Sequence, residues 1–186
     1  MKVSLSWLEQ YVEVDLKPSA LADRLTMAGL EVEAVADRFA YLETVLVGRI
    51  AAVEDHPRSD HLKICRVDTG TGERNVVCGA PNAAAGLLSA LALPGTELPD
   101  GRRVEKSTLR GAASDGMLCS AHELGLGPDA SGILEIDPRT PVGRPLNQAL
   151  SLTDPVFDIG LTPNRADCLC ILGVAREVAA LQGKPL

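Results

Sequence analysis

From Val45 to Ile136 the chain is cut into short apolar runs by turn residues roughly every dozen positions, and this punctuation constrains the fold more than any other feature. The run from Val45 to Val53 is long and apolar, and Leu62 to Val67 alternates. Thr69-Gly70-Thr71-Gly72 then turns the chain into Asn75-Val76-Val77-Cys78. Leu87 to Leu93 precedes Pro94-Gly95, Pro99-Asp100-Gly101 turns the chain into Arg103-Val104, and Ile133 to Ile136 reads as a closing strand. Strands this short, separated by Gly and Pro, favour a small barrel over a helical fold.

The flanks carry a different pattern. Trp7, Leu8, Tyr11 and Val12 sit at helical spacing in a short element after Ser6. Pro18-Ser19 opens a second helix with the stripe Leu21, Leu25 and Ala28, and Gly29 stops it. Glu31 to Val35 alternates as a half-buried strand. Near the other end, Val156 to Ile159 is a strand candidate and Thr162 to Arg165 a turn. A helix with Ile171, Val174, Ala175, Val178 and Leu181 on one face follows. Head and tail hold 39 and 35 residues, each under the roughly 40 needed to fold without staples. Joined, they support one core. The expected architecture is α+β: a small helical domain split in sequence, residues 1–39 and 152–186, with a barrel of residues 40–151 inserted into it. Such an insertion requires the barrel's two ends to lie close together.

Composition excludes several classes. No apolar run is long enough to span a bilayer, and Glu9 and Gln10 interrupt the only place for a signal peptide. No membrane association is expected. Cys65, Cys78, Cys119, Cys168 and Cys170 are odd in number and lack paired spacing, which reads as reduced thiols in a cytoplasmic protein. The net charge is −7, and residues 40–150 hold 11 basic against 14 acidic side chains. A strong, free-standing nucleic-acid binder would carry the opposite balance.

One basic cluster stands out. Arg102, Arg103, Lys106 and Arg110 face only Glu105 across residues 102–110. Arg58 and Lys63 lie in and beside the turn His56-Pro57-Arg58-Ser59-Asp60-His61-Leu62. These six are the candidate phosphate-binding residues, weighed against a plain solvated loop. Cys78-Gly79-Ala80-Pro81-Asn82 and Ser114-Asp115-Gly116-Met117 read as turn scaffolds before ligand-binding elements. His56, His61, Cys65, Cys78 and Cys119 match no common zinc spacing, and no local pattern activates a Cys/His pair, so neither a metal nor a catalytic residue is expected. Tyr41 is the only aromatic between residues 40 and 150, which disfavours base stacking and favours recognition of RNA shape and backbone.

The order of these motifs, with Leu109-Arg110-Gly111 and Glu123-Leu124-Gly125-Leu126, resembles the tRNA-binding oligonucleotide-fold (OB) barrel of aminoacyl-tRNA synthetases and their cofactors. The flanks Ser4-Leu5-Ser6-Trp7-Leu8, Leu25 to Val32 and Phe157 to Leu169 narrow the resemblance to the start of the bacterial phenylalanyl-tRNA synthetase beta subunit. His61, Gly160 and Ala166 stand where that family often has Lys, Asp and Pro. The resemblance implies a five-stranded OB-type barrel whose ligand meets the second and third strands and the two loops between strands one–two and four–five. It implies a non-catalytic module with weak, backbone-directed tRNA binding, and the N-terminal part of a longer chain. The complete ligase would use ATP and magnesium elsewhere and assemble with an alpha subunit. A stand-alone tRNA-binding or chaperone-like barrel is the alternative.

Overall fold

A computed structural model describes residues 1–186. The chain begins with β1 (Lys2–Ser4), α1 (Leu5–Leu8), α2 (Pro18–Met27) and β2 (Glu31–Asp37). After a 3-10 turn at Ala40–Thr44 come β3 (Val45–Asp55), β4 (Lys63–Asp68), β5 (Glu73–Cys78) and β6 (Leu88–Ala92). The short strands β7 (Ser107–Leu109), β8 (Ala112–Ser114), β9 (Met117–Cys119) and β10 (Glu135–Ile136) lead to α3 (Leu146–Ala149). The chain closes with β11 (Pro155–Gly160), a 3-10 segment Pro163–Cys168 and α4 (Ile171–Gln182). Two compact units result: Met1–Arg38 with Thr153–Leu186, and Phe39–Leu152.

The unit built from the two chain ends is not simply helical. It contains a three-stranded antiparallel sheet in the order β1-β11-β2, with Val3 opposite Phe157 and Val156 opposite Ala36. Three residues, Lys2-Val3-Ser4, are too few for alternation to register as a strand, so the expectation of a helical domain misses it. The N-terminal ammonium donates to the Ile159 carbonyl. Leu8, Leu21, Leu25, Phe157, Val174 and Val178 form its core. The first helix starts earlier than its spacing implies. Ser4 caps it through the Trp7 N–H, and Asp154 accepts from the Ser4 hydroxyl at 2.6 Å and from the Ser6 N–H at 3.0 Å. It ends at Leu8, which leaves Trp7 and Tyr11 exposed.

In the other unit an antiparallel sheet runs β10-β6-β3-β4-β5, with β9 also paired to β6. The sheet curls. Gly48 permits the curl at the middle of β3, because a Cβ there would lie 2.6 Å from Val67 Cγ1 and 3.3 Å from Leu91. A register shift between Ile50 and Ala52 bends the same strand further. Ile50, Cys65, Val67, Val76, Leu91 and Leu118 fill one part of the interior, and Val45, Val47, Leu88 and Leu146 another.

No ladder joins β5 to β9. The approach is stitched instead by Asp115 N–H to Asn75 O at 2.8 Å and Val77 N–H to Ser114 Oγ at 3.1 Å. Ser114 Oγ in turn donates to Gly116 O at 2.9 Å. Gly116 has φ +147°, and a Cβ on it would meet the Ala92 carbonyl at 2.7 Å. The Ser114-Asp115-Gly116 motif is therefore the fastening of a seam.

Two expected strands are shorter than their apolar runs. Arg103-Val104 reduces to a single bridge from Glu97 to Arg103, and of Ile133–Ile136 only Glu135–Ile136 pairs, because Asn82 holds Ile133 off the ladder. The β7–β8 hairpin and α3 carry no periodic signal in the sequence.

Candidate nucleic-acid interface

The loop between β3 and β4 closes on itself through His56 N–H to Leu62 O at 3.1 Å and Ser59 N–H to His56 O at 3.2 Å. Pro57 fixes its first turn. His56 is only 4% exposed. Its Nδ1 accepts the Arg58 N–H at 3.1 Å, which places the proton of the neutral ring on Nε2. Nε2 then donates to the Leu109 carbonyl at 3.1 Å, across to the β7–β8 hairpin.

That bond brings two separate loops together. Arg110, at the hairpin tip, donates from Nη1 to the Arg58 carbonyl at 3.4 Å. The Arg58 guanidinium lies against Gly111, with Nη1 3.1 Å from where a Cβ would stand. Neither arginine forms an ion pair, and Arg103, exposed nearby in sequence, forms none either.

The other three candidates are engaged. Arg102 pairs with Asp100 at 2.6 Å and reaches Glu123 at 3.6 Å. The Arg102 N–H and guanidinium together hold Asp100 below the usual carboxylate range. Lys106 pairs with Asp115 at 3.2 Å. Lys63 turns inward and donates to the Ala83 carbonyl at 3.1 Å. The charge excess counted along residues 102–110 is thus reduced by acids that lie outside that window in sequence.

The outward face of β4 and β5 carries Ile64, Arg66 and Asp68 beside Glu73, Asn75 and Val77, and Arg66 pairs with Glu73 at 3.2 Å. It is a mixed face, not a basic one. Beside it a cleft of about 580 Å³ opens where β5 and β9 diverge, lined by Val77, Cys78, Leu109, Met117, Glu123 and Ile133 among others. Cys65, the Ala80 N–H (3.4 Å from Sγ) and Lys63 together hold the Cys78 thiol below its ordinary value.

Asp167, Cys168 and Glu177 are grouped closely enough to resemble a metal site. The Arg165 guanidinium fills it, 2.7 Å from Glu177, 3.1 Å from Asp167 and 2.9 Å from Cys168 Sγ. These residues do not fit a resident cation. In sequence Arg165 reads as part of a turn; Asp167 and Cys168 lie on its own 3-10 segment, but Glu177 reaches it from α4 and the Ala28 carbonyl from the end of α2, which only the fold brings together.

Residues 45–145 match the family described as "Putative tRNA binding domain". Over its whole length the chain is 51% identical to the phenylalanine–tRNA ligase beta subunit of Syntrophus aciditrophicus (strain SB), covering 23% of that protein. It is 50% identical to the beta subunit of Moorella thermoacetica, again over all of this chain and 24% of the relative. The chain therefore spans about a quarter of the length of these relatives. A MetRS related protein from Pyrococcus horikoshii aligns at a TM-score of 0.41 and 21% identity, over 54% of this chain and 85% of that one.

Proposed function

The chain belongs to the putative tRNA binding domain family, and on that premise we propose that it is a non-catalytic tRNA-binding module of a phenylalanine–tRNA ligase beta subunit. In this reading the curled sheet of Phe39–Leu152 is an OB-type barrel inserted into a domain split between residues 1–38 and 153–186. Recognition is directed at the phosphate backbone. Arg58, Arg103 and Arg110 lead, because no carboxylate neutralises them; Lys63, Arg102 and Lys106 contribute less. The single observation that carries the reading is the family match over the segment in which the β3–β4 loop and the β7–β8 hairpin meet.

The longer relatives frame the rest. Attachment of phenylalanine to tRNA, with ATP and magnesium, belongs in this reading to other parts of a cytoplasmic enzyme that includes an alpha subunit. A tethered module needs little affinity of its own, since linkage to the rest of the enzyme raises effective concentration. The test is tRNA binding by the 186-residue chain between about 50 and 200 mM salt. Weak binding that falls steeply with salt and is indifferent to base sequence supports the reading. Tight, salt-resistant binding, or none at the lowest salt, ends it.

A further inference from the structure

The hairpin tip breaks a local rule. Arg110 and Gly111 form the two-residue connection between β7 and β8, and both have positive φ, +48° and +93°. Asn and Gly adopt this turn readily, whereas an arginine there is strained. Ser151 is the only other non-glycine residue with positive φ. A strained side chain held in place by its surroundings is the pattern of a functional position.

Resting on the tRNA-binding reading, we propose that Arg58 and Arg110 form one two-guanidinium phosphate site, and that His56 is the positioning residue that assembles it. Each half of the imidazole controls one arginine. Nδ1 holds the Arg58 N–H, and Nε2 holds the carbonyl of Leu109, the residue before Arg110. Arg110 then closes the link by donating to the Arg58 carbonyl. Two cations gathered without a counter-charge repel each other, and a phosphodiester relieves that repulsion while offering oxygens for planar, forked donors. His56 itself is buried, so its part is to hold the two arginines.

Two substitutions separate the halves of the ring. Asparagine reproduces the Nδ1-type acceptor but cannot reach Leu109, and glutamine reproduces the Nε2-type donor but not the tight bond to Arg58. The 186-residue chain is titrated with inorganic phosphate while the Arg58 and Arg110 Nε–H resonances are followed, and tRNA binding is measured against salt in parallel. In the unaltered chain both arginines move on one common curve. His56→Asn uncouples them and lowers the log–log salt slope by about one, for the single phosphate that is no longer neutralised; His56→Gln retains more of both.

Independent or absent responses of the two arginines to phosphate overturn the proposal, as does a His56→Asn chain that binds phosphate as before. A joint phosphate response without tRNA binding leaves the site standing and removes only the tRNA reading. If His56→Asn fails to fold, Arg110→Lys decides. It leaves the imidazole bonds intact and replaces the fork by a point charge, so the Arg58 response weakens; an unchanged Arg58 response overturns the site.

Discussion

Asn82 grips Ile133 by both backbone atoms: Oδ1 accepts the Ile133 N–H at 2.9 Å and Nδ2 donates to the Ile133 carbonyl at 2.9 Å. A side-chain amide thus takes the place of a strand at the point where β10 begins. Asn82→Ala leaves both groups unpaired, and each unsatisfied group costs about 1–3 kcal/mol. The urea midpoint should fall accordingly. An unchanged midpoint would show that water replaces the amide at no cost.

Arg110→Asn is expected to separate stability from binding. Asparagine tolerates the left-handed backbone better than arginine, so the chain gains up to about 1 kcal/mol. The same change removes a cation and weakens tRNA binding at low salt. Calorimetry and binding on one preparation test both halves; a chain that is less stable and binds as before contradicts each.

The Arg165 network has a pH signature. Hydrogen bonds from the Arg165 guanidinium, then from Cys168, lower the Asp167 carboxyl from 3.8 to about 2. A carboxyl lowered in the folded state binds fewer protons than its unfolded counterpart. Its contribution is therefore complete above about pH 4 and is lost as pH falls toward 2. Asp167→Asn should flatten that part of the melting-temperature curve and leave its shape unaltered near neutrality.

The thiols should react in a fixed order. Cys78 is lowered, chiefly by its coupling to Cys65, whereas burial pushes Cys119 up to about 12 and raises Cys168 to about 11. Cys65 is raised, first by its hydrogen bond to Cys78 and then by burial. Thiolate is the reactive form. Among these four, iodoacetamide should reach Cys78 first, at a pH where the other three remain thiols. Equal labelling of Cys78 and Cys119, read by peptide mass spectrometry, would refute the order.

How much the sequence discloses depends on the range over which each feature acts. β3, β4, β6, α2, α4 and the strand at β11 carry apolar, alternating or helically spaced runs of four residues or more, and those runs identify them. β1, β7, β8 and β9 span three residues each; β1 and β9 are fixed by partners elsewhere in the fold, Phe157 for Val3 and Leu91 for Leu118, and β7 and β8 by each other across a two-residue turn. The cations show the same limit. Residue type singles out Arg102 and Lys106, but only the fold brings Glu123 and Asp115 to them. His56 reads locally as a turn residue, and nothing near it in sequence announces Leu109. The Arg110-Gly111 pair between two short β-prone runs is the one available signal for the tip.

The position of β11 between β1 and β2 orders the events of synthesis. The two N-terminal strands do not pair with each other; both wait for Pro155–Gly160. At about 5–20 residues per second, that partner leaves the ribosome on the order of ten seconds after Asp37 does. Meanwhile Phe39–Leu152 has all its own strand partners and can close first. Asp37 finally pairs with Pro155, so a nascent chain holds the edges of its first sheet open until its last strand arrives. Over that interval Val3, Val32 and Val35 are unpaired strand surface, open to the wrong partner as well as the right one.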